Sequence, residues 1–257
     1  TSFFILRLGF NQALTILAII YVVVIVPITL IFIKHRPSDI GQYPDGDPPP
    51  QASDGTGQYP GSQMQTWTRL QAMKTMAFWS ISIAFMLALA GQIAYLVHQV
   101  SFLAQYLGSQ QAAFTVSITT GASIMGRLVI GSFVDRADKR YVTIGCVLLQ
   151  GSAVATLAFS SHVVVLYLCT FVFGLTMGPL LMMQSLITGE CFGIPSFATV
   201  AGTIGLMTLT GAAFGPVIAG LIYDVTESYS ISFLLFASAS FLSAGIICFA
   251  RPPVLDA

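Results

Sequence analysis

The chain has 257 residues, of which 8% are charged and 55% are hydrophobic, whereas soluble domains average about 25% charged residues. Its ten basic and ten acidic residues balance, so the charge does not favour nucleic acid or another polyanion as a partner. The composition therefore excludes an ordinary soluble domain and indicates a protein of the lipid bilayer.

Seven apolar runs are long enough to cross a bilayer, because a helix of about 20 residues spans the hydrocarbon core and satisfies its own backbone hydrogen bonds. These predicted transmembrane helices cover residues 13–33, 76–103, 112–134, 142–160, 163–187, 194–223 and 231–250. Their lengths argue against barrel strands, which alternate over about ten residues. The predicted fold class is an all-α membrane protein with seven transmembrane helices.

The distribution of Lys and Arg predicts the orientation, because cytoplasmic loops retain basic residues and translocated loops lack them. Basic residues flank the loop after the first span and follow the third and seventh spans, namely Lys34, Arg36, Arg69, Lys74, Arg136, Lys139, Arg140 and Arg251. We therefore expect the N-terminus outside, the C-terminus in the cytoplasm, and a multi-pass protein of a plasma or bacterial inner membrane.

A stretch rich in Pro, Gly, Asp and Gln follows the first span and cannot bury enough apolar surface to fold by itself. It ends in Trp67, Leu70 and Met73, a pattern that suits a short interfacial helix. The predicted organisation is an outer segment with the first transmembrane helix at 1–34, a flexible cytoplasmic linker with the interfacial helix at 35–75, a six-helix bundle at 76–251 and a cytoplasmic tail at 252–257.

Glycines four residues apart occur in two spans, at 174–178 and at 211–215. Small residues at this spacing let two helix backbones approach closely, so we expect helix contacts at both segments. Pro27, Pro179 and Pro216 also lie inside spans, where a proline leaves one carbonyl without its helical donor.

Arg127 lies about two-thirds of the way along the third span, where an arginine costs about 2.5–3.5 kcal/mol unless it faces the protein interior or water. On a helix it shares a face with Thr120, Ser123 and Gly131. No Asp or Glu lies deep in another span to pair with it. A planar guanidinium matches a carboxylate with two hydrogen bonds, so a small organic anion substrate is one candidate partner. Helix carbonyls, or an acidic residue elsewhere in the protein, are the alternatives.

Further candidate substrate ligands are polar or aromatic side chains predicted to line a central cavity. They are Gln92, Tyr95, His98 and Gln99 in the second span, Gln184 in the fifth, and Thr210 and Phe214 in the sixth. His98 is also a candidate for coupling to a proton, because its unperturbed pKa is near 6.5. A structural hydrogen bond is the other explanation for His98.

No pattern in the sequence indicates catalysis. There is no nucleophile elbow, no cluster of His and carboxylates for a metal, and no Gly-rich phosphate loop followed by Lys. The four cysteines are scattered singly, without metal-ligand or disulfide spacing. We expect no enzyme activity, no cofactor and no metal.

The stretch after Arg127 resembles the signature loop of the major facilitator superfamily, which has a Gly, three residues, Asp-Arg and then a basic cluster. Here this loop, which we call the latch loop, contains Gly131, Asp135, Arg136, Lys139 and Arg140. The resemblance implies a cytoplasmic loop whose Asp and Arg hold neighbouring helices together during the transport cycle. Asp138 stands where the family usually has Gly. Glu190 is expected to serve this end of the bundle or to pair with a basic neighbour.

Other stretches are similar to the monocarboxylate-transporter-like branch of that family, which includes oxalate/formate antiporters. They are residues 35–49, 72–79, 98–103, 189–193 and 215–233. The resemblance implies helix 6 and the C-terminal six-helix bundle of a twelve-helix transporter, with the N-terminal helices of the same transporter as a partner. It also implies that Arg127 binds carboxylate. The sequence departs from the branch at Ser123, where monocarboxylate transporters have an acid, and in the span 194–223, which lacks the lysine of oxalate/formate antiporters.

The predicted function is secondary active transport of a small monocarboxylate or dicarboxylate by alternating access, coupled to a proton or a counter-anion. One alternative is a facilitator for a neutral or cationic solute such as a drug, in which Arg127 is structural. The other is a seven-helix receptor, which the seven spans and the Asp135–Arg136 pair permit. The sequence lacks the extracellular Cys pair and the closing Asn-Pro motif of such receptors.

Overall fold

The computed structural model describes residues 10–32 and 66–253. These residues form helices joined by short turns, and no strand occurs among them. The helices are α1 (Phe10–Phe32), α2 (Arg69–Met73), α3 (Met76–Leu107), α4 (Ser109–Gly131), α5 (Lys139–Phe159), α6 (Val163–Phe192), α7 (Ile194–Thr226) and α8 (Ser230–Ile247), with a 3-10 turn at Val134–Arg136. Six of them, α3 to α8, are long and apolar enough to cross a membrane. The all-α membrane fold is therefore confirmed.

The helix α1 belongs to a separate compact unit, Thr1–Ser62, whereas α2 to α8 lie in the unit Gln63–Ala257. This helix has 23 residues and is not interrupted by Pro27, which lies inside it. Its apolar portion is Leu14–Leu30. A seventh transmembrane span at α1 stays a prediction. Most of the predicted linker, the outer segment before residue 10 and the end of the predicted tail lie outside the described residues.

Local sequence signals account for where the helices begin and end. The Thr75 hydroxyl accepts the N–H of Phe78 at 3.2 Å and so caps the start of α3. Gly108 and Gly193 separate α3 from α4 and α6 from α7, and both have positive φ, at 80° and 73°. Glycine adopts that conformation without the steric cost that a side chain would impose, so these two junctions are tight turns.

Close contacts at glycines hold the bundle together. The Gly211 and Gly215 backbones lie directly against the carbonyl groups of Met86 and Ala90, where any side chain would overlap them. These contacts join α7 to α3, the helix with the largest buried share. A methyl group at Gly174 would lie 2.6 Å from the carbonyl oxygen of Thr119, which joins α6 to α4 in the same way. The helix contacts predicted from glycine spacing are therefore confirmed.

The helices α4 and α7 bury much less of their surface than the others. Only 22% of the most apolar stretch of α7 is buried, against 61% for α3. The buried side of α7 is a single stripe, namely Ser196, Val200, Ile204, Thr208, Gly211, Gly215 and Ala219. Both helices thus present a broad face that no other described helix of this unit covers.

The segment before α3 packs on the turn between α6 and α7. The Trp67 backbone N–H donates to Ser196 Oγ at 2.6 Å, and its ring meets that of Phe192 edge to face with centroids 5.5 Å apart. Trp67 is only 8% exposed, whereas Leu70 on α2 is 73% exposed. The predicted short helix is present as α2, and its placement at the membrane interface stays a prediction.

Candidate functional site: an unpaired arginine on α4

Arg127 lies on α4 one helical turn before the helix ends at Gly131, closer to that end than the predicted span implied. It is the only basic residue of α3 to α8 outside the first turn of a helix, apart from the weakly basic His98. Its side chain is exposed. Within residues 10–32 and 66–253, the ion pairs are Lys139–Glu190 and Asp138–Arg140, and Arg127 takes part in neither. The structure therefore gives this guanidinium no fixed counter-charge among the described residues.

Two of the residues predicted to share a face with Arg127 differ in their exposure on α4. Ser123 is buried at 4% exposure, and its carbonyl and hydroxyl oxygens face Gly178 of α6. Thr120 is exposed, and its hydroxyl donates to the Val116 carbonyl at 2.8 Å. The exposed side of α4 thus carries Arg127 and, two turns earlier, Thr120, while Ser123 lies at the contact with α6.

The polar residues of α3 lie in the bundle core. Tyr95 is 1% exposed, and its hydroxyl lies 3.0 Å from Thr170 Oγ1 of α6. Gln99 is fully buried, and its Nε2 donates to Thr115 Oγ1 at 3.0 Å and to Thr119 Oγ1 at 2.9 Å, both on α4.

Gln92 is also buried, at 1% exposure, and its Oε1 lacks a hydrogen-bond partner within the described part of the chain. Together with Tyr95 and Gln99 it lies on the packed side of α3, whereas Arg127 lies on an exposed face. The structure does not bring these three residues to the surface that carries the arginine.

His98 joins three parts of the bundle at the end opposite the latch loop. Its Nε2 lies 3.1 Å from the Pro216 carbonyl oxygen of α7, and its Nδ1 lies 3.2 Å from the Tyr229 hydroxyl. A carbonyl only accepts, so Nε2 donates to Pro216, and Nδ1 shares a hydrogen bond with the Tyr229 hydroxyl. Burial raises the pKa of Tyr229, which keeps that hydroxyl protonated. Both ring nitrogens therefore have partners, as the structural explanation of His98 requires.

The remaining candidates lie on α6 and α7. Gln184 is half-buried, and its Nε2 donates to Thr208 Oγ1 of α7 at 3.0 Å. The Thr210 hydroxyl donates to the Met207 carbonyl at 2.6 Å within its own helix. Phe214 is 62% exposed on α7. Gln184 thus connects two helices, while Phe214 presents an aromatic ring on the uncovered face of α7.

Two ion pairs organise the latch loop and its surroundings. Asp138 accepts the backbone N–H of Arg140 at 2.9 Å and pairs with its guanidinium, with Oδ2 2.6 Å from Nη2. The hydrogen bond from the Arg140 side chain is the main cause of the lowered pKa of Asp138. Lys139 pairs with Glu190 of α6 at 3.3 Å, which confirms the basic neighbour expected for that acid. Asp135 and Arg136 are exposed, as is Gly131 at the end of α4.

The hydrogen-bond partners of Tyr95, His98 and Gln99 were not predicted from the sequence. Thr115 and Thr119 face Gln99 because they lie four residues apart on one side of α4, a spacing readable from the sequence. Thr170 and Tyr229 pair with residues 75 and 131 positions away, and no local pattern indicates such contacts. Among the residues that the structure describes, no group of three or more His, Cys, Asp or Glu side chains is placed to hold a metal ion.

Comparison with known proteins supports the resemblance read from the latch loop. Residues 81–256 match the family described as Major Facilitator Superfamily. Monocarboxylate transporter 12 of Rattus norvegicus is 27% identical over 241 residues, which is 88% of this chain and 49% of that protein. Monocarboxylate transporter 7 of Homo sapiens is 28% identical over 151 residues, which is 57% of this chain and 29% of that protein.

The chain thus spans about half the length, or less, of these relatives. Its six candidate membrane spans and its family match agree on a multi-pass membrane protein of a transporter family rather than an enzyme family. The two relatives named above are monocarboxylate transporters, and the chain belongs to the major facilitator superfamily.

Proposed function

We propose that this chain is part of a secondary active transporter that moves small carboxylate anions by alternating access, with Arg127 as the carboxylate ligand. The observation that carries the proposal is the exposed Arg127 side chain, which has no ion pair among residues 66–253. A cation in a membrane-spanning helix needs a counter-charge, and an anionic solute supplies one only while it is bound. The names of the relatives support the same class of solute.

The chemistry of the guanidinium favours a planar anion. Its fork of N–H donors binds both oxygens of a carboxylate, and the bond strengthens where water is excluded. Thr120 lies two turns earlier on the exposed side of α4, and its hydroxyl would donate to a solute only after leaving the Val116 carbonyl. An ammonium cannot reproduce this geometry, so Arg127→Lys should lose most of the carboxylate affinity.

The uncovered faces of α4 and α7 support a second part of the proposal, namely that the N-terminal helices of the same transporter pack there. The solute site would then lie between the two halves, and Arg127 and Phe214 would form part of its wall. Rocking of the halves would expose the site to each side in turn. The N-terminus of the chain would face outward and the C-terminus the cytoplasm, in a plasma or bacterial inner membrane.

Coupling to a proton or a counter-anion belongs to the same proposal. The two hydrogen bonds of His98 favour a structural role for it over proton transfer. In the latch loop, Asp135 and Arg136 are exposed and free of the two ion pairs, which suits contacts that form in only one facing state. The family assignment removes the receptor alternative, whereas transport of a neutral or cationic solute stays an alternative to transport of a carboxylate.

Uptake into proteoliposomes tests the proposal on the complete transporter. Labelled monocarboxylates and dicarboxylates are compared with uncharged and cationic solutes. We expect carboxylate uptake to fall to background in Arg127→Ala while the protein remains folded in the membrane. The control is Thr156→Ala, which removes an exposed hydroxyl from α5. Unchanged carboxylate uptake in Arg127→Ala would exclude the proposed role.

A further inference from the structure

The aliphatic stem of Arg127 lies against a glycine of the neighbouring helix. A methyl group at Gly178 would lie 2.8 Å from Arg127 Cγ, 2.5 Å from the carbonyl oxygen of Ser123 and 2.7 Å from Ser123 Oγ. All three distances are shorter than van der Waals contact. The absence of a side chain at Gly178 is therefore what allows the arginine stem to lie on α6.

Gly174, one turn earlier on α6, meets equally close atoms but does not touch the arginine. A methyl group there would lie 2.6 Å from the Thr119 carbonyl oxygen and 2.7 Å from Ala122 Cβ. The two glycines constrain the crossing of α4 and α6 to a similar degree. They differ in that only Gly178 contacts the side chain of Arg127.

The residue after Gly178 adds to this arrangement. Pro179 has no N–H, so it leaves the Leu175 carbonyl without the donor that an uninterrupted helix would supply. That carbonyl group is directed at Gly126, the residue before Arg127, so closely that any side chain there would overlap it. The turn of α4 that carries the arginine is thus fitted closely onto the backbone of α6.

We propose that Gly178 is a positioning residue that sets the direction in which the Arg127 guanidinium leaves α4. The inference rests on the proposed function, in which Arg127 binds a carboxylate. Bidentate binding depends on the orientation of the guanidinium plane. Because the stem lies between its own helix and the bare backbone at Gly178, the direction of the fork is fixed before the solute arrives. A methyl group at Gly178 would displace the aliphatic stem of Arg127 and so change the orientation of its guanidinium plane.

The experiment compares Gly178→Ala with Gly174→Ala in the complete transporter. Both changes should lower thermal stability, because each forces a methyl group into the same helix crossing. Only Gly178→Ala should raise KM for the carboxylate, by about tenfold or more as expected for a misplaced ligand group. Gly174→Ala should leave KM within about threefold of the unmodified value, since it does not touch Arg127. Equal KM values in the two variants would overturn the inference.

A double variant separates this inference from the proposed function. If Arg127→Gln already abolishes the preference for a carboxylate over its amide, Gly178→Ala should add no further loss of affinity. If Arg127→Gln has no effect, the proposed function fails and the inference fails with it. If Arg127→Gln is inactive while Gly178→Ala behaves like Gly174→Ala, only the inference fails.

A measurement on the unmodified protein covers the case in which neither alanine variant folds. The order parameter of the Arg127 Nε–H bond, from ¹⁵N relaxation, should exceed that of Arg136, which is also exposed and takes part in neither ion pair. Equal disorder at the two arginines would contradict a fixed stem.

Discussion

Lys139 at the start of α5 and Glu190 near the end of α6 form an ion pair, with Nζ 3.3 Å from Oε2. The pair lies at the end of the bundle that carries the latch loop. Its side chains are 21% and 50% exposed, so water and salt screen their attraction. The contact is a partly exposed ion pair between two neighbouring helices.

A double-mutant cycle with Lys139→Gln and Glu190→Gln should give a coupling free energy of about 0.2–1 kcal/mol, because exposed ion pairs contribute little. Denaturation of the protein in detergent, at low and at high salt, measures it. The coupling should shrink at high salt. A coupling that exceeds this range and does not respond to salt would show that the pair behaves as a buried one.

Asp138 caps α5, and its loss should destabilise the protein by about 1 kcal/mol, the usual effect of replacing such a cap by Ala. Asp138→Asn keeps an oxygen for the Arg140 N–H but removes the charge. We therefore expect Asp138→Asn to lie between the unmodified protein and Asp138→Ala in thermal midpoint. Equal midpoints for Asp138→Asn and Asp138→Ala would assign the whole effect to the ion pair.

The contribution of Asp138 to stability should depend on pH. Its pKa in the folded protein is lower than the usual 3.8, mainly because Arg140 donates a hydrogen bond to the carboxylate. Its stabilising effect is therefore fully present above 3.8 and is lost as the pH falls through the lowered pKa. The difference in thermal midpoint between the unmodified protein and Asp138→Asn should be constant near neutral pH and shrink only in that acidic range.

Gly211→Ala should destabilise the bundle by about 1–3 kcal/mol, the usual cost of overpacking, because its methyl group would overlap the Met86 carbonyl. Gly145→Ala on α5, away from the uncovered faces of α4 and α7, is the control, since nothing lies within 4 Å of a methyl group there. The control should be neutral or stabilising by up to about 1 kcal/mol, because alanine favours a helix. Thermal denaturation of both variants checks the difference, and equal losses would refute the close contact.

Trp67→Ala should lower stability far more than Leu70→Ala, because Trp67 is 8% exposed and Leu70 is 73% exposed. The ring also lines, together with Cys191, a cavity of about 360 Å³, so removing it should expose more of Cys191, which is 7% exposed. With the other three cysteines replaced by serine, maleimide should label Cys191 faster in Trp67→Ala than in Leu70→Ala. The same labelling rate in both variants would argue against the packing of Trp67 on the α6–α7 turn.

The sequence predicted the fold well because bilayer burial imposes length and composition on each helix. The predicted spans 163–187 and 194–223 begin where α6 and α7 begin. The helices extend slightly beyond the predicted ends, to Phe192 and Thr226. The glycine pairs also indicated real helix contacts, since only small residues allow such an approach. Helix ends were less accurate where polar turns extend the helical backbone beyond the apolar run.

The candidate site was predicted less completely, for a geometric reason. Arg127 was identifiable from its charge in an apolar run, which needs no tertiary information. Helical position alone could not tell whether Gln92 or Gln99 faces a cavity or the core. That depends on which helix lies opposite, and the structure puts α4 against Gln99.

Binding of a carboxylate and its uncharged amide to the purified complete transporter tests the role of Arg127 most directly. Calorimetry should find the carboxylate bound about 10- to 100-fold more tightly, as expected for hydrogen bonds to a charged group worth about 1.5–3 kcal/mol. In Arg127→Gln this preference should disappear while the protein stays folded. A variant that still prefers the carboxylate by the same factor would contradict the account.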